Sequence, residues 1–480
     1  MASHSLPRII QGGMGVGVSN WRLAKAVSRL GHLGVVSGTA LNLVLVRRLQ
    51  LGDPGGHMLR ALRHFPLPDV AARIAERFYV PGGKKEAEPF APIPMLHIRM
   101  TSSQVELLVA SAFTEVFLAK ESHTGLIGIN LLEKIQLPTL ATLYGAMLAG
   151  VHYVLMGAGI PNHIPGVLDA FAQGEPASLR IDASGEVQPE ILFNPRNFMG
   201  ASPPDLTRPR FIPVISSATL ALTLARKANG MVDGFIVEGT SAGGHNAPPR
   251  GPMQLSCKGE PVYGIRDHAD LQKIRSLGLP FWLAGSYGGP GKLEEALHLG
   301  ASGIQVGTAF AFCEESGITP ELKRLVLEKV RAGTIEVFTD PAASPTGFPF
   351  KVVRAGDSNL DQRERRTCDL GVLREAYLRQ DQSIGYRCPS EPLQDYVRKG
   401  GNVDNTTGRK CVCNGLLATI GLGQSLSNGQ LEPPLITAGD SLADIAPYLL
   451  RKSLNYNAAD VIRMLSESSP VKNERLLLHS

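Results

Sequence analysis

His245 lies in the stretch Val237–Gly251, VEGTSAGGHNAPPRG, directly after the apolar run of GFIVEG. An imidazole titrates near neutrality, so it can exchange a proton or stabilise an anion without extreme tuning. The glycine, alanine and serine around it would let a flat ligand come close. The plainer reading is a solvated histidine in a flexible loop. Arg250 in the same stretch could attract an anionic substrate or be an ordinary loop arginine, and Tyr287 could cover a ring or be a surface aromatic.

Glycine recurs in four comparable places: Gly12–Gly13–Met14–Gly15, Met156–Gly157–Ala158–Gly159, Gly285–Ser286–Tyr287–Gly288–Gly289 and Gly307–Thr308, beside Gly243–Gly244–His245. Missing side chains let backbone N–H groups approach a phosphate, or let a planar ring lie on the backbone. One such loop could simply end a strand. Five at the ends of apolar runs suit a phosphate-bearing planar cofactor, FMN before NAD. The dinucleotide fingerprint G-x-G-x-x-G is not completed, because Val18 follows Gly13–Met14–Gly15 where its third glycine belongs.

A second constellation is the set Cys368, Cys388, Cys411 and Cys413, in RRTCDL, GYRCPSE and RKCVCNG. Four thiolates suit tetrahedral zinc or an iron–sulfur cluster, and an iron–sulfur cluster could feed electrons to a flavin. Reduced cysteines without metal are the alternative. Arg365, Arg366, Arg387, Arg409 and Lys410 flank the thiols and would lower their pKa or offset a cluster's charge.

The elements that must position these residues read as strands alternating with helical segments. Strands are expected at Arg8–Gln11, Leu33–Ser37, Leu126–Asn130, Val151–Met156, Phe211–Ile215, Gly234–Val237, Pro280–Ala284 and Gly303–Val306. Helices are expected at Trp21–Leu30, capped by Ser19 or Asn20, at Ala218–Lys227 and at Lys292–Leu299. Eight strand–helix repeats predict an α/β fold of the TIM (β/α)8 class, with a doubly wound sheet as competitor. Residues 50–95 and 175–208 interrupt the pattern. The second of these contains a hairpin, LRIDASGEVQPEIL, with its turn at Ala183–Ser184–Gly185. Periodicity fades after about Ile335, so residues 1–340 are expected to form the FMN-binding barrel and 341–480 an elaborated C-terminal region.

The bulk composition fits a large core: 480 residues, 43% hydrophobic, 19% charged, with 52 Gly and 34 Pro. A net charge of +5 without dense basic runs argues against nucleic acid as a partner. No secretory pattern opens the chain and no apolar run is long enough to span a bilayer, so a cytoplasmic enzyme is expected.

The ordered pieces QGGMG, LGVVSG, GIN, MGAG, IPVISS, VEGTSAGGH, LAGSYGG and QVGTAF resemble the nitronate monooxygenase (2-nitropropane dioxygenase) family. They look equally like the related flavin-type enoyl-ACP reductases. The resemblance covers roughly 8–48 and 125–339, and EG-x-x-AGGH with Q-x-G-T-x-F is its most specific part. It implies FMN held without a covalent link. Gly12, Gly13 and Met14 would line the ring, with Asn130 in contact. Gly285, Gly307 and Thr308 would hold the phosphate, with Gly288 and Gly289 nearby. Glu238 and Gly239 would stand beside the cofactor, with Gly157, Gly243 and Gly244 in the surrounding loops. His245 would be the catalytic residue facing the flavin. Ser286 departs from the glycine common in the family, and the insertions put substrate identity in doubt.

The resemblance implies either of two reactions. An alkyl nitronate would be oxidised with dioxygen, or NAD(P)H would drive reduction of an enoyl thioester, with an acyl carrier protein as a possible partner. A flavin-binding scaffold that docks a partner protein is the reading from another class.

Overall fold

The computed structural model describes residues 6–184, 188–200, 203–355, 368–426, 429–451 and 454–467. Eight parallel strands form its centre: β1 (Ile9–Gln11), β2 (Gly34–Ser37), β3 (Ile127–Leu132), β4 (Tyr153–Gly157), β5 (Arg210–Ile215), β6 (Phe235–Glu238), β7 (Phe281–Ala284) and β8 (Gly303–Val306). The sheet runs β1-β8-β7-β6-β5-β4-β3-β2. It closes where Ile10 bridges Leu33 in parallel, with the Gln11 N–H donating to Leu33 O at 2.9 Å. Closure makes this a (β/α)8 barrel and removes the doubly wound alternative. All eight expected strands are present, with ends shifted by one or two residues.

Ile10, Val35, Leu155, Ile212, Ile236 and Trp282 form a buried cluster drawn from six strands and fill the barrel axis. The Trp282 indole N–H donates to Pro7 O at 2.6 Å, so the largest interior side chain is satisfied where it would otherwise strand a donor. Of the two candidate caps, Asn20 is the one that accepts from Leu23 N and starts the helix Trp21–Arg29. Ser19 is used elsewhere, at the site described below.

The 50–95 insertion contributes the helices His57–Leu62 and Pro68–Phe78, which pack against the long buried helix Ser102–Lys120. Its tail then grips the C-terminal region. Gln424 exchanges hydrogen bonds with both the N–H and the C=O of Phe90, and Arg47 reaches Leu422 O at 2.6 Å. In the 175–208 insertion, Ala177–Arg180 and Glu190–Phe193 pair antiparallel as expected. Gly185 of the expected turn lies outside the described residues. Ala183–Ser184 is not a simple turn: it pairs in parallel with Glu375–Leu378.

The C-terminal region starts with an antiparallel pair, β9 (Glu336–Asp340) and β10 (Phe350–Arg354), followed by β11 (Glu375–Leu378) and β12 (Ile384–Arg387). Helices Val412–Thr419 and Ala458–Ser466 follow later. Val353, Ile436, Leu442 and Val461 join the main core cluster of the barrel. A second cluster sets Val16, Leu43 and Val44 of the barrel against Phe350, Leu416, Leu417 and Leu435. This region is therefore a cap seated over the barrel's first loops.

Candidate active site

The C-terminal ends of the strands open into one cavity that all five glycine-bearing loops line. Gly12, Gly13, Met14, Asn130, Gly157, Glu238, Gly243, Gly244, His245, Gly285, Gly288, Gly307, Thr308 and Tyr287 face it. Gly239 instead faces a neighbouring cavity, and Gly289 stands outside both linings.

The first loop is fixed by Ser19, whose hydroxyl accepts from Gln11 Nε2 and Met14 N and donates to Gly12 O, each at 2.9 Å. Gly13 allows Asn130 to come close: a Cβ at position 13 would lie 2.3 Å from Asn130 Cβ. Under Gly12 lies Gln305, whose Oε1 is buried without a hydrogen-bond partner. A buried orphan acceptor is costly, and a ring with an N–H edge laid on this loop would satisfy it.

At the other end, Gly285 (φ +88°) and Ser286 (φ +60°) are consecutive left-handed residues. Such a turn makes a concave run of backbone suited to an anion, and serine at 286 adopts the conformation that glycine would favour. Thr308 lies beside it, and its hydroxyl oxygen accepts the Gly439 N–H at 2.9 Å. Gly243 is pressed by the same cap segment, since a Cβ there would meet Ala438 and Gly439 backbone at 2.8 Å. The cavity thus offers an open backbone cradle at one end and an orphan acceptor under a flat glycine floor at the other. Those features fit a phosphate-bearing flavin.

His245 is held by the cap. Its Nε2 stands 2.7 Å from Ser344 Oγ, its ring meets Phe350 edge-on at 4.8 Å, and its backbone bridges Phe350. Lys351 N–H donates to Gly244 O and Asn246 N–H to Pro349 O, so the loop is pinned on both sides of the histidine. Burial lowers the imidazole pKa to about 4. The ring's remaining exposure is toward the two cavities it lines, so it is a neutral group at pH 7.

Glu238 ends β6 and lines both cavities. Desolvation raises its carboxyl to about 8, and no charge or hydrogen bond offsets that cause. At neutral pH the carboxylic acid carries the proton and the imidazole does not. The second cavity meets the first at Ala158, Val214, Glu238 and His245 and runs outward past Ile160, Leu220, Pro248 and Arg250. Arg250 is exposed there, with its backbone N–H bonded to Asp267.

Phe350, Leu416, Thr419, Leu435, Thr437, Ala438 and Ser441 also line the main cavity. None stands out in the sequence reading, although the small-residue run Thr437–Ala438–Gly439 resembles the loops that do. The structure gathers Cys368, Cys388, Cys411 and Cys413 around one small cavity elsewhere in the cap. Among the described residues, no group of three or more His, Cys, Asp or Glu side chains is placed so that it could hold a metal ion. Of the flanking cations, Arg365 and Arg366 lie outside the described residues. Arg387 turns to Glu375 and Gly400 O, and Arg409 to Asn405 O and Ala342 O, so the guanidinium beside the thiols is that of Arg374.

No helix among the described residues is long and apolar enough to cross a membrane. Residues 208–343 match the family described as nitronate monooxygenase. The chain is 34% identical over 119 residues to a probable nitronate monooxygenase of Bacillus subtilis, covering 25% of this chain and 32% of that one. A probable nitronate monooxygenase of Staphylococcus haemolyticus is 32% identical over 142 residues, 28% of this chain and 36% of that one. The match therefore spans about a third of the length of these relatives. Among solved structures, FabK from Thermotoga maritima aligns at 16% identity and TM-score 0.47, covering 96% of this chain and 91% of that one. A nitroalkane oxidase from Streptomyces ansochromogenes aligns at 14% identity and TM-score 0.45, covering 96% and 94%.

Proposed function

We propose that this chain, related to nitronate monooxygenases through residues 208–343, is a cytoplasmic flavin-dependent oxidoreductase that binds FMN in the barrel-mouth cavity and oxidises alkyl nitronates with dioxygen. The observation that carries the reading is the convergence of five glycine-bearing loops on one cavity floored by the orphan acceptor of Gln305. Gly12, Gly13 and Met14 would lie under the ring with Asn130 at its side. Gly285, Gly288, Gly307 and Thr308 would hold the phosphate. Bound FMN would supply the two-electron carrier that the protein's own side chains lack.

The chain's own residues bind and handle protons. His245, neutral and fixed by Ser344, meets an anionic substrate with a hydrogen bond rather than an ion pair. Glu238 holds a proton where the two cavities meet. Leu416, Phe350 and Leu435 wall off water, which strengthens each polar contact inside.

One observation favours a second reaction on the same site. The second cavity reaches Glu238 and His245 from the surface, giving room for a longer substrate. For an enoyl thioester, bound FMN would supply the hydride chemistry at the β-carbon with NAD(P)H as reductant, and Glu238 is placed to donate the proton that the α-carbon takes. An acyl carrier protein would then be the partner. The test is the visible spectrum of the purified protein, followed by anaerobic mixing with propyl nitronate or NAD(P)H. Bleaching by nitronate alone supports the first reaction. Bleaching by NAD(P)H alone replaces it with the second. A colourless protein that releases no flavin on denaturation overturns both.

A further inference from the structure

Outside the barrel mouth, three additions to the barrel meet at one place. Residues 93–96 at the tail of the first insertion, 181–183 of the second and 370–376 of the cap help to enclose a cavity of about 410 Å³. That volume is in the range of small-molecule sites. The cavity shares no lining residue with the barrel-mouth cavity.

The start of the helix Leu41–Gln50 opens onto it, with Ala40, Asn42 and Leu43 in the wall. No side chain caps this end, and no acidic residue stands in its first turn. The N–H groups of Leu41 and Asn42 have no acceptor among the described residues. Such an end carries partial positive charge and favours an anion. Many helices start this way, and what points to a ligand here is Asn42. It is 8% exposed, yet its side-chain amide makes no hydrogen bond among the described residues. A buried amide without a partner is costly, and a bound group would remove that cost.

A guanidinium and a hydroxyl add to these donors. Among the described residues Arg374 bonds only to carbonyls, from Nε to Gly371 O at 3.2 Å and from Nη2 to Leu96 O at 2.8 Å, which leaves Nη1 without an acceptor. Its guanidinium lies over the Tyr386 ring, 4.9 Å from the centroid. The buried Tyr386 hydroxyl accepts the Ile98 N–H at 2.8 Å and has its own proton left to donate. The carboxylates in the wall are engaged: Asp182 pairs with Lys134 at 3.4 Å and Glu375 with Arg387 at 2.6 Å. Leu43, Ile93, Leu96, Leu137, Ile181 and Val372 supply apolar wall.

We propose that this cavity binds an amphipathic anion, a short hydrocarbon body ending in a carboxylate or a phosphate monoester. The anionic head takes hydrogen bonds from Arg374 and Asn42, and bonds between charged partners of this kind are the strong ones. The body covers the apolar wall and removes it from water. A bare inorganic anion would leave that wall wet. The site stands independently of which reaction the barrel performs.

The experiment is calorimetric titration of the full-length protein with octanoate, octyl phosphate, octanol and inorganic phosphate. Octanoate or octyl phosphate should bind with a Kd of about 100 μM or tighter. Octanol and inorganic phosphate should each bind at least about tenfold more weakly. Tighter octanoate assigns a carboxylate head, and tighter octyl phosphate a phosphate one. Asn42→Leu breaks no side-chain bond within the protein, so it should weaken binding about tenfold at an unchanged melting temperature. Arg374→Gln should weaken binding about a hundredfold. His245→Ala, in the other cavity, should bind the octyl anion as the wild type does. Octanol bound as tightly as octanoate overturns the proposal, as does inorganic phosphate bound as tightly as octyl phosphate. So does undiminished affinity in Asn42→Leu, or no binding of either octyl anion. Affinity lost in His245→Ala would place the ligand in the barrel mouth and overturn it too.

Discussion

Ser344 and His245, ninety-nine residues apart, meet through a 2.7 Å contact between Oγ and Nε2. Ser344 is fully buried and in turn shares a hydrogen bond with Thr346 Oγ1 at 2.8 Å. The cap thereby fixes the ring orientation of a histidine that belongs to the barrel. Ser344→Ala removes the bond to His245 together with those to the Thr346 hydroxyl and N–H, without opening the cavity, so kcat should fall about tenfold, the equivalent of ~1.4 kcal/mol. Flavin content should stay at the wild-type level, and Ser344→Thr should restore part of the rate. His245→Ala should cost about a hundredfold or more. Steady-state rates of the three variants decide this, and unchanged turnover in His245→Ala would remove its catalytic role.

Gly13 and Asn130 make the tightest approach among the glycines lining the barrel-mouth cavity. Adding a methyl at position 13 drives it to 2.3 Å from Asn130 Cβ, a distance that forces backbone movement. Gly13→Ala should therefore lower flavin occupancy sharply and destabilise the fold by about 1–3 kcal/mol. The pair Gly13→Ala with Asn130→Gly should recover stability while leaving occupancy low. Thermal melts and the flavin-to-protein absorbance ratio separate the two effects.

Burial pushes the Glu238 carboxyl in the folded state up to about 8, from an ordinary value of 4.5. A group whose folded pKa is raised contributes stability that is fully present below 4.5 and lost as pH rises through 8. Glu238→Gln removes the titration, so the variant should gain stability over wild type at pH 9, by up to ~5 kcal/mol, and match it near pH 4. If Glu238 delivers a proton, the wild-type rate should also fall above about pH 8, and that limb should vanish in the variant. An identical alkaline limb in Glu238→Gln would assign the proton to another group.

The barrel was legible because buried parallel strands are short apolar runs, and the helix between two of them restores the 3.6-residue period. The glycine loops were legible because their chemistry is local. The cap was not. Phe350, Leu416 and Thr437 reach the cavity only through long-range pairing, Phe350 by bridging His245 and Thr437 by accepting the Gly244 N–H. Nor could the sequence show that Glu238 keeps its proton, since that depends on which groups surround the carboxyl after folding. Ala183–Ser184 reads locally as a turn, yet a strand from the cap competes for its backbone.

Lys351 carries the last link between cap and cofactor cavity. Its side chain is 2% exposed, and its Nζ donates to Thr339 Oγ1 at 2.6 Å and Asp440 Oδ1 at 2.7 Å. Asp440 N–H donates to Ser241 O, and the adjoining Gly439 N–H donates to Thr308 Oγ1. The ammonium thus ties the β9–β10 pair to the segment that closes over Thr308. Lys351→Met keeps the buried stem and removes the charge. Because the Asp440 carboxylate is half exposed and can be rehydrated, the stability cost should be modest, about 1–2 kcal/mol. Flavin release should respond more strongly, since a loosened strap opens the path from Thr308 to water. An off-rate about tenfold faster, followed by fluorescence on dilution, is the expected result. Asp440→Asn should reproduce it, and the double variant should add little to either single one. Additive effects of the two substitutions would show that Lys351 and Asp440 act on the cavity independently.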